Sequence, residues 1–382
     1  LAAVLLPRQR PLDSRVVLVA PFANRTGDTA LDPLAALARD RIASELSESG
    51  MARPFPAVEE EATASLDGLC REARQRRARF AVAGSLYLHE GEVEVQAQLV
   101  DVAEGAVLYA VPGVTGPKKS APELLHEASQ RALGALATQL YSHAHSRLLS
   151  RPPLFEAGRE FLAGSEIFVR DLPAAIEHLE RAVEIDPDFT SAQLRLAMGL
   201  RMAGRGEEGR AILDRLHARR AGLTDFERLW LDAFVGDFEG RWADALTYLE
   251  TARGLASTDW TLLYLIANHE LDLNRPRRAI KVLDEMQAAE LPDFVTRHGL
   301  FIHSCQLRAL AWHMVGDHSA ELAAARAGRA RFRDDHGLLV SEAKALAAVG
   351  DLEGLEGVLA AAGSTPAAMA PANVLVESAA TA

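Results

Sequence analysis

The chain has 382 residues, enough for two or three domains, and 49% of them are hydrophobic, which is ample for sizeable cores. Its formal net charge of −12 argues against general nucleic-acid binding, because no basic domain or stripe offsets the acidic residues. Cys70 and Cys305 lie far apart in the chain, and we interpret both as packed core residues rather than as a disulfide.

Residues 1–14 predict a leader or the end of a transmembrane helix. The run Leu1–Leu6 is apolar, ends at Pro7, and is followed by Arg8 and Arg10. Such a short run cannot span a bilayer, which needs about 20 residues. It fits the last turns of a transmembrane helix that starts upstream, and it fits a frayed leader equally well, so both interpretations stay open.

The segment 15–149 predicts an α+β domain. Apolar, β-branched runs bounded by turn residues indicate strands, and apolar residues at helical spacing indicate helices. Asp32 and Pro33 predict a helix start, with Asp32 at the N-cap and Pro33 at the first helical position. In chain order, the predicted elements are a strand at Val16–Pro21, a turn at Asn24–Asp28, a helix at Asp32–Ser49, a short strand around Phe55, a helix at Ala62–Arg77, strands at Phe80–Tyr87, Glu92–Asp101 and Ala106–Val111, and a helix at Ala121–Leu149. This order is typical of an α/β sandwich with a mixed sheet.

Several short segments of this domain resemble the TolB amino-terminal-like domains. Val17–Asp28 resembles their "PF-x-N-x-T-G-D" opening, and Phe80–Ser85 resembles their "ADYVV-x-G-S" strand. Gln98–Asp101, followed by Gly105–Ala110, resembles "Q-L-V-D-x-x-T-G-x-x-LWA". The chain departs from this pattern at Glu104, where Thr is usual, and at Tyr109, where Trp is usual.

Six alanines recur in register through the second half of the chain. They are Ala163, Ala197, Ala233, Ala267, Ala309 and Ala343, at intervals of 34, 36, 34, 42 and 34 residues. A period of 34 is the length of a tetratricopeptide helix–turn–helix repeat. We expect a small side chain wherever the first helix of a repeat crosses its partners closely. Seven residues after each alanine, a turn is predicted at Arg170, Gly204, Gly240, Asn274, Gly316 and Gly350.

The segment 150–363 therefore predicts an all-α tetratricopeptide-like superhelical solenoid of about six helix pairs, which we number as repeats one to six. The run from Ala175 to Pro187 resembles the second helix of such a repeat, which ends in proline at the same offset. Gly209 and Glu321 stand where the family usually has Ala. The interval of 42 predicts an inserted loop near Ala288–Gly299. Residues 364–382 predict a flexible C-terminal tail.

The sequence nominates no catalytic, cofactor or metal site. Gly204–Gly209 matches G-x-G-x-x-G, but it follows a helix and contains two glutamates, so it predicts a repeat turn. His143 and His145 alternate along a helix and should point to different faces, which predicts surface histidines rather than metal ligands. Kinase signatures are absent from the chain.

A TolB-like domain followed by tetratricopeptide repeats resembles the tail of bacterial membrane-anchored serine/threonine kinases. The resemblance implies a non-catalytic sensor or scaffold region that binds a protein or peptide and biases an attached effector. It implies an extracytoplasmic tail of an inner-membrane protein, or otherwise a cytoplasmic location, with a membrane link only upstream of Leu1. The alternative is a free-standing envelope assembly factor or adaptor, with self-association through the TolB-like domain.

A partner groove is predicted on the first helices of the repeats, which line the concave face in tetratricopeptide arrays. The alanine register nominates Arg201, Trp230, Phe234, Tyr264, Asn268, His303, Gln306 and His313. Trp, Tyr and Arg are the residue types that dominate binding energy at interfaces. Trp230 and Phe234 fit a core between repeats equally well, and both interpretations stay open. No lysine stands at these positions, which argues against a clamp for a peptide's terminal carboxylate.

Overall fold

A computed structural model describes residues 11–56, 65–142, 150–256, 259–288 and 299–363. The chain divides into two compact units. The first comprises Leu1–Phe161 and Glu180–Ala192, and the second comprises Leu162–Leu179 and Gln193–Ala382. The predicted leader, apart from residues 11–14, lies outside the described residues, as do the C-terminal tail, most of the inserted loop, and both His143 and His145.

The first unit is built on a mixed five-stranded sheet, as the sequence predicts. The strands are β1 (Asp13–Asn24), β2 (Arg53–Pro56), β3 (Ala78–His89), β4 (Glu92–Asp101) and β5 (Ala106–Pro117). Their order is β2-β1-β3-β4-β5. Strand β1 is parallel to β2 and β3, and β3, β4 and β5 form an antiparallel meander. The sheet thus combines a parallel half, which needs helical crossovers, with a half joined by tight turns.

Helices cover both faces of this sheet. They are α1 (Asp32–Ser49), α2 (Leu66–Gln75) and α3 (Ala121–Ser142). Helices α1 and α3 contact each other and pack on the sheet, while α2 forms a separate apolar layer with alternate residues of β1, such as Val16 and Leu18. Because successive strand side chains point to opposite faces, α2 lies on the face opposite α1 and α3. Cys70 is buried in the α2 layer, and Cys305 is buried in the repeats, which confirms both as core residues.

A hydrogen-bonded turn connects β1 to α1, where the motif around Asn24 lies. The Asn24 Oδ1 atom accepts from the Thr26 amide at 3.1 Å and from the Thr26 hydroxyl at 2.6 Å. The Asn24 Nδ2 atom donates to the Asp28 carbonyl at 2.8 Å. Gly27 has a φ of 76°, a left-handed conformation that favours glycine. The turn predicted from the sequence is therefore confirmed, with its polar side chains engaged within it.

The predicted helix cap at Asp32 is wrong. The N-cap residue of α1 is Leu31, which makes no side-chain cap, and Asp32 is already helical. A short 3₁₀ turn, Thr29–Leu31, runs directly into α1, and Asp28 caps that turn by accepting from the Ala30 amide at 3.0 Å. The capping side chain is thus Asp28, one turn before the predicted position Asp32.

A buried ion pair anchors the middle of α3 within the first unit. The Arg131 guanidinium pairs with the Asp186 carboxylate, and the two residues are only 4% and 3% exposed. Arg131 also donates to the Pro152 carbonyl at 2.9 Å, and Asp186 accepts from the Leu154 amide at 2.9 Å. These additional hydrogen bonds help to offset the cost of removing two charges from water.

Twelve helices follow in the described part of residues 155–363, and they form the six predicted pairs. The helices are α4 (Phe155–Ile167), α5 (Leu172–Ile185), α6 (Thr190–Met202), α7 (Gly206–Ala218), α8 (Asp225–Phe238), α9 (Trp242–Leu255), α10 (Trp260–Asp272), α11 (Pro276–Ala288), α12 (Gly299–Val315), α13 (His318–Arg331), α14 (His336–Val349) and α15 (Leu352–Gly363). None of the helices in the described ranges has the length and apolar character needed to cross a membrane. The fold is thus a mixed sheet with helices followed by an all-α, tetratricopeptide-like array.

The predicted turns within the repeats are confirmed by backbone geometry. Left-handed φ values of 79°, 70°, 55°, 79° and 77° occur at Gly204, Gly240, Asn274, Gly316 and Gly350. A left-handed residue ends a helix tightly, and glycine or asparagine adopts it at the lowest cost. Each of these positions therefore terminates the first helix of its repeat.

Close helix crossings explain the alanine register. Five of the six alanines are at most 2% exposed. Ala163 is partly buried, and its neighbour Gly164 makes the tight contact, since a Cβ added there would lie 2.9 Å from the Ala175 carbonyl oxygen. At Gly209, which replaces the usual alanine, an added Cβ would lie 2.7 Å from the Ala197 carbonyl oxygen and 3.0 Å from the Phe238 ring. The helices approach each other so closely at this crossing that a methyl group does not fit.

The start of α12 approaches the end of α4 within the second unit. A Cβ added at Gly299 would lie 3.1 Å from the Glu166 carbonyl oxygen and 3.6 Å from the Val169 Cβ. Repeat five therefore contacts repeat one, although the two are far apart in the sequence.

Candidate functional site

The eight nominated groove residues lie on the first helices of repeats two to five. Arg201 is on α6, Trp230 and Phe234 are on α8, Tyr264 and Asn268 are on α10, and His303, Gln306 and His313 are on α12. The structure divides them into groups with different surroundings, and the three residues on α12 meet at an open pocket.

This pocket, which we call the α12–α14 pocket, has a volume of about 280 Å³. It lies between the first helices of repeats five and six, beside the start of α13. Its apolar wall includes Leu307, Leu310 and Val340. Its polar groups are His303, Gln306, His313, Glu321, His336, Ser341 and Lys344. An apolar cleft with a few convergent polar groups is the usual form of a ligand site.

Two polar groups at this pocket have no protein partner among the described residues. Lys344 forms no salt bridge within 4.0 Å there, and the buried His336 Nε2 atom has no hydrogen-bond partner. By contrast, the Gln306 side chain is fixed, because its Nε2 donates to Asp335 Oδ1 at 3.0 Å. Unpaired polar groups in a partly buried cleft are costly unless water or a ligand satisfies them. The pocket thus offers the Lys344 cation to an incoming group, whereas the His336 Nε2 atom is itself buried.

Glu321, at the edge of this pocket, is only 3% exposed although it carries a carboxylate. Its Oε2 atom lies 3.0 Å from His313 Nδ1 and 2.8 Å from His318 Nδ1. The two imidazole rings have centroids 5.3 Å apart. One carboxylate oxygen and two ring nitrogens therefore converge at the turn between α12 and α13, a donor set that can hold a proton or a metal ion.

Tyr264 and His303 form a polar contact inside the array. The Tyr264 hydroxyl and His303 Nδ1 are 2.9 Å apart, and Tyr264 is 8% exposed. Burial raises the pKa of Tyr264 to about 12 and lowers the pKa of His303 below its usual value. Both side chains are therefore neutral at pH 7, and their hydrogen bond fixes one wall of the α12–α14 pocket.

Arg201 and Asn268 are engaged within the protein. Arg201 pairs with Asp237 of the next repeat, and its guanidinium lies 5.3 Å from the Phe238 ring centroid. Asn268 Nδ2 lies 3.4 Å from Asp272 Oδ2. Arg201 thus connects repeats two and three, whereas the Asn268 contact stays within α10.

His269 lies in the same polar region and is 5% exposed. Its Nε2 is 3.5 Å from Asp237 Oδ1, which is an ion-pair distance rather than a short hydrogen bond, and its Nδ1 is 2.9 Å from the Leu265 carbonyl. Burial by itself would lower the pKa of His269, but Asp237, the Leu265 carbonyl and Asp272 together raise that pKa above its usual value.

Trp230 and Phe234 belong to an aromatic row on α8. The ring centroids of Trp230 lie 5.9 Å from Phe226 and 5.8 Å from Phe234. Phe234 is 5% exposed, so it packs in the core. Trp230 is partly buried, and its buried Nε1 has no hydrogen-bond partner among the described residues. The burial of Phe234 favours the interpretation that this residue packs in a core between repeats.

Sequence reasoning missed His318, Glu321, His336 and Lys344. The nominated positions stop at repeat five, whereas Lys344 follows the register alanine of repeat six and lines the same pocket. Glu321 carried a usable signal, since a charged residue at a small-residue position must be compensated if it is buried. The sequence does not show that His313 and His318 are the partners of Glu321, because a turn separates the two histidines and brings them together only in the fold.

A comparison with protein families agrees with the repeat assignment for part of the chain. The family model "Tetratricopeptide repeat" matches residues 170–229. No curated protein sequence matches this chain significantly.

Similar solved structures include a thermophilic TPR protein from Thermus thermophilus, which is 18% identical with a TM-score of 0.38, covering 50% of this chain and 98% of that one. A tetratricopeptide repeat protein from Parabacteroides merdae is 17% identical with a TM-score of 0.33, covering 53% and 77%. The TPR2AB domain of yeast Sti1, in complex with pHSP90, is 17% identical with a TM-score of 0.23, covering 54% and 89%. Residues 170–229 thus carry tetratricopeptide repeat sequence, and the helices on either side continue its helix-pair pattern.

Proposed function

We propose that this chain is a non-catalytic scaffold that binds a protein or peptide through its repeats, with the α12–α14 pocket as the main contact. The observation that carries the proposal is the pairing of an apolar wall with the unpaired Lys344 ammonium and the unpartnered His336 ring nitrogen, both judged within the described residues. A peptide with an apolar side chain beside a carboxylate complements both features. The carboxylate would form a charge-assisted hydrogen bond with Lys344.

The pocket supports binding better than nucleophilic catalysis. Ser341 contributes a hydroxyl, but that hydroxyl donates to the Gly337 carbonyl at 2.8 Å rather than to a histidine. A serine nucleophile requires a base within hydrogen-bond reach. The geometry therefore favours a ligand held by apolar contact and charge.

A peptide-binding measurement tests this function. Two fluorescein-labelled peptide pools share randomised apolar positions and differ only in having Asp and Glu, or Asn and Gln, at the remaining positions. Fluorescence polarisation should show saturable binding of the acidic pool to the 382-residue chain. Lys344→Gln should weaken that binding about tenfold, since a hydrogen bond to a charged group contributes about 1.5–3 kcal/mol.

Lys281→Gln provides the matched control, because Lys281 is an exposed lysine on α11, away from the pocket. It should leave binding unchanged. Equal binding of both pools, or equal losses in the two lysine variants, would show that the pocket does not select an acidic peptide.

We place this scaffold, as a proposal, in a bacterial membrane-anchored signalling protein of the serine/threonine kinase type. The motif segments of residues 15–149 support a TolB-like domain, and the repeat match supports the array that follows. A free-standing envelope adaptor that self-associates through the TolB-like domain is the second candidate. The gene sequence upstream of Leu1 separates the two. An apolar span of about 20 residues preceded by kinase motifs supports the tail, and a signal peptide or initiator Met directly upstream supports the adaptor.

A further inference from the structure

The carboxylate of Glu321 is buried without a basic partner. It lies at the repeat position where the register predicts a small residue, at the helix crossing of repeat five. No Lys or Arg nitrogen lies within 4.0 Å of it in the described part of the chain; the neighbouring nitrogens there belong to His313 and His318. A buried ionised carboxylate is costly unless it is paired or coordinates a metal. A cation held jointly by this carboxylate and the two imidazoles would meet that cost.

The arrangement of donor atoms matches a transition-metal site. The ligand atoms of the three residues lie within 4.8 Å of one another. Both histidines direct Nδ1, rather than Nε2, toward the same carboxylate oxygen, at 3.0 and 2.8 Å. With metal–ligand distances of about 2.0–2.2 Å, tetrahedral ligand atoms lie roughly 3.3 Å apart, so the two nitrogen–oxygen separations need to open only slightly.

The backbone holds these ligands in place independently of a metal. His313 is in the last turn of α12, and His318 is the first residue of α13. Gly316 between them is left-handed with a φ of 79°, and its amide donates to the His313 carbonyl at 2.9 Å. Asp317 caps α13 by accepting from the Ala320 amide at 3.0 Å. Preorganised ligands lose little conformational freedom on binding, which favours affinity.

We propose that His313, His318 and Glu321 form a binding site for a divalent transition-metal ion of the Zn²⁺ class. Two imidazoles and one carboxylate suit Zn²⁺ by ligand type, and three protein ligands leave a coordination position for an outside donor. Because His313 and Glu321 also line the α12–α14 pocket, that donor can come from a molecule in the pocket. The site goes beyond the proposed peptide binding and does not depend on it.

Metal binding by the full chain tests the proposal. The 382-residue protein is stripped with EDTA, dialysed, and titrated with ZnCl₂ in competition with a chromogenic chelator. One equivalent should bind with a submicromolar dissociation constant. His318→Ala should weaken binding at least tenfold, since loss of an outer-shell partner alone typically costs about 10–100-fold and loss of a ligand should cost at least as much.

His217→Ala is the matched control, because His217 is an exposed histidine on α7. It should bind zinc as the wild type does. Glu321→Gln keeps the side chain's size and tests the carboxylate, with far-UV circular dichroism showing whether the variant is folded. Co²⁺ gives a second readout, since visible absorption bands of tetrahedral intensity should appear in the wild type and be lost in His318→Ala.

Two results would overturn the proposal. The first is that the wild type binds no stoichiometric zinc at micromolar concentrations. The second is that His313→Ala/His318→Ala, folded as judged by circular dichroism, retains wild-type zinc affinity, which would place the ion elsewhere. Neither result bears on binding of the acidic peptide pool.

Discussion

Replacing Gly84 with alanine should destabilise the sheet of the first unit by about 3 kcal/mol. Phe22 on β1 and Gly84 on β3 are paired in the parallel register, and Phe22 is 1% exposed. A Cβ added at Gly84 would lie 2.1 Å from Phe22 Cε1 and 2.6 Å from the Gln96 carbonyl oxygen on β4. The ring therefore covers the glycine, and a methyl group has no space on either side.

The size of the effect follows from what must move. A buried ring cannot swing into solvent, and the Gln96 oxygen belongs to the strand backbone. Overpacking alone costs about 1–3 kcal/mol, and complete loss of a buried phenylalanine costs about 3–5 kcal/mol. Because both a ring and a backbone atom are displaced, we expect a loss of stability near the top of the overpacking range, about 3 kcal/mol.

Hydrogen exchange and urea unfolding measure this loss separately from the repeats. Peptides from β1 and β3 should lose protection in Gly84→Ala. The four tryptophans lie between residues 230 and 312, so their fluorescence reports only on the repeats. The far-UV circular dichroism transition of the first unit should shift to lower urea, and the urea midpoint of tryptophan fluorescence should shift less.

Gly113→Ala is the control, since a Cβ added at Gly113 meets the side chain of Glu94, which is partly exposed and can rotate away. It should change stability by less than about 0.5 kcal/mol. A Phe22→Leu background should also relieve the clash, so that Gly84→Ala costs at least about 1 kcal/mol less there. If Gly84→Ala is no more destabilising than Gly113→Ala, or if its cost is the same with Leu at position 22, the packing argument is wrong.

Three further predictions concern the repeats and the ion pair of α3. Gly209→Ala should lower the urea midpoint of tryptophan fluorescence by the equivalent of about 1 kcal/mol, because crowding of about 1–3 kcal/mol exceeds the roughly 1 kcal/mol gained in helix propensity. Gly206→Ala, in the same helix but with open space around its added Cβ, should not lower that midpoint. A raised midpoint in Gly209→Ala would contradict the crowding. The raised pKa of His269 means that its stabilisation is complete below the unfolded value of about 6.5 and is lost as pH rises through the folded pKa. The stability difference between wild type and His269→Gln, measured by urea titrations, should therefore shrink as pH rises above about 6.5. A difference that stays constant with pH would argue against a charged ring. Asp186→Asn should cost about 3 kcal/mol in circular dichroism melts, because it removes the buried carboxylate and leaves the Arg131 guanidinium with the Pro152 carbonyl and the partly exposed Glu127 carboxylate at 3.7 Å. Asp188→Asn, which removes an exposed partner at 3.5 Å, should cost under about 1 kcal/mol. Similar losses in both variants would refute the role of burial.

Periodic features of the fold could be predicted from the sequence, because they depend on local rules. The strand Glu92–Asp101 is predicted with the bounds that the structure gives, since its apolar residues alternate cleanly. The repeat turns can be found because glycine and asparagine mark left-handed positions. The cap predicted at Asp32 is wrong because a 3₁₀ turn, which no local signal announces, extends the helix start.

The site is harder to predict, because it depends on which side chains meet across turns and helices. The register predicts that His303, Gln306 and His313 share one helix, and all three line the α12–α14 pocket. It cannot show that Arg201 is paired with Asp237, which lies 36 residues further along the chain. The unpaired state of Lys344 among the described residues is likewise a property of three-dimensional neighbours, which a single sequence does not contain.

The approach of Gly299 to the Glu166 carbonyl has a consequence for how this array can evolve and be engineered. A linear solenoid can gain or lose a repeat, because each repeat touches only its neighbours. Here the fifth repeat also touches the first, so removing or duplicating any repeat between them would separate those two surfaces. The contact therefore fixes the number of intervening repeats. The contact also closes the intervening repeats into a loop, so we expect these repeats to unfold together rather than one by one from an end.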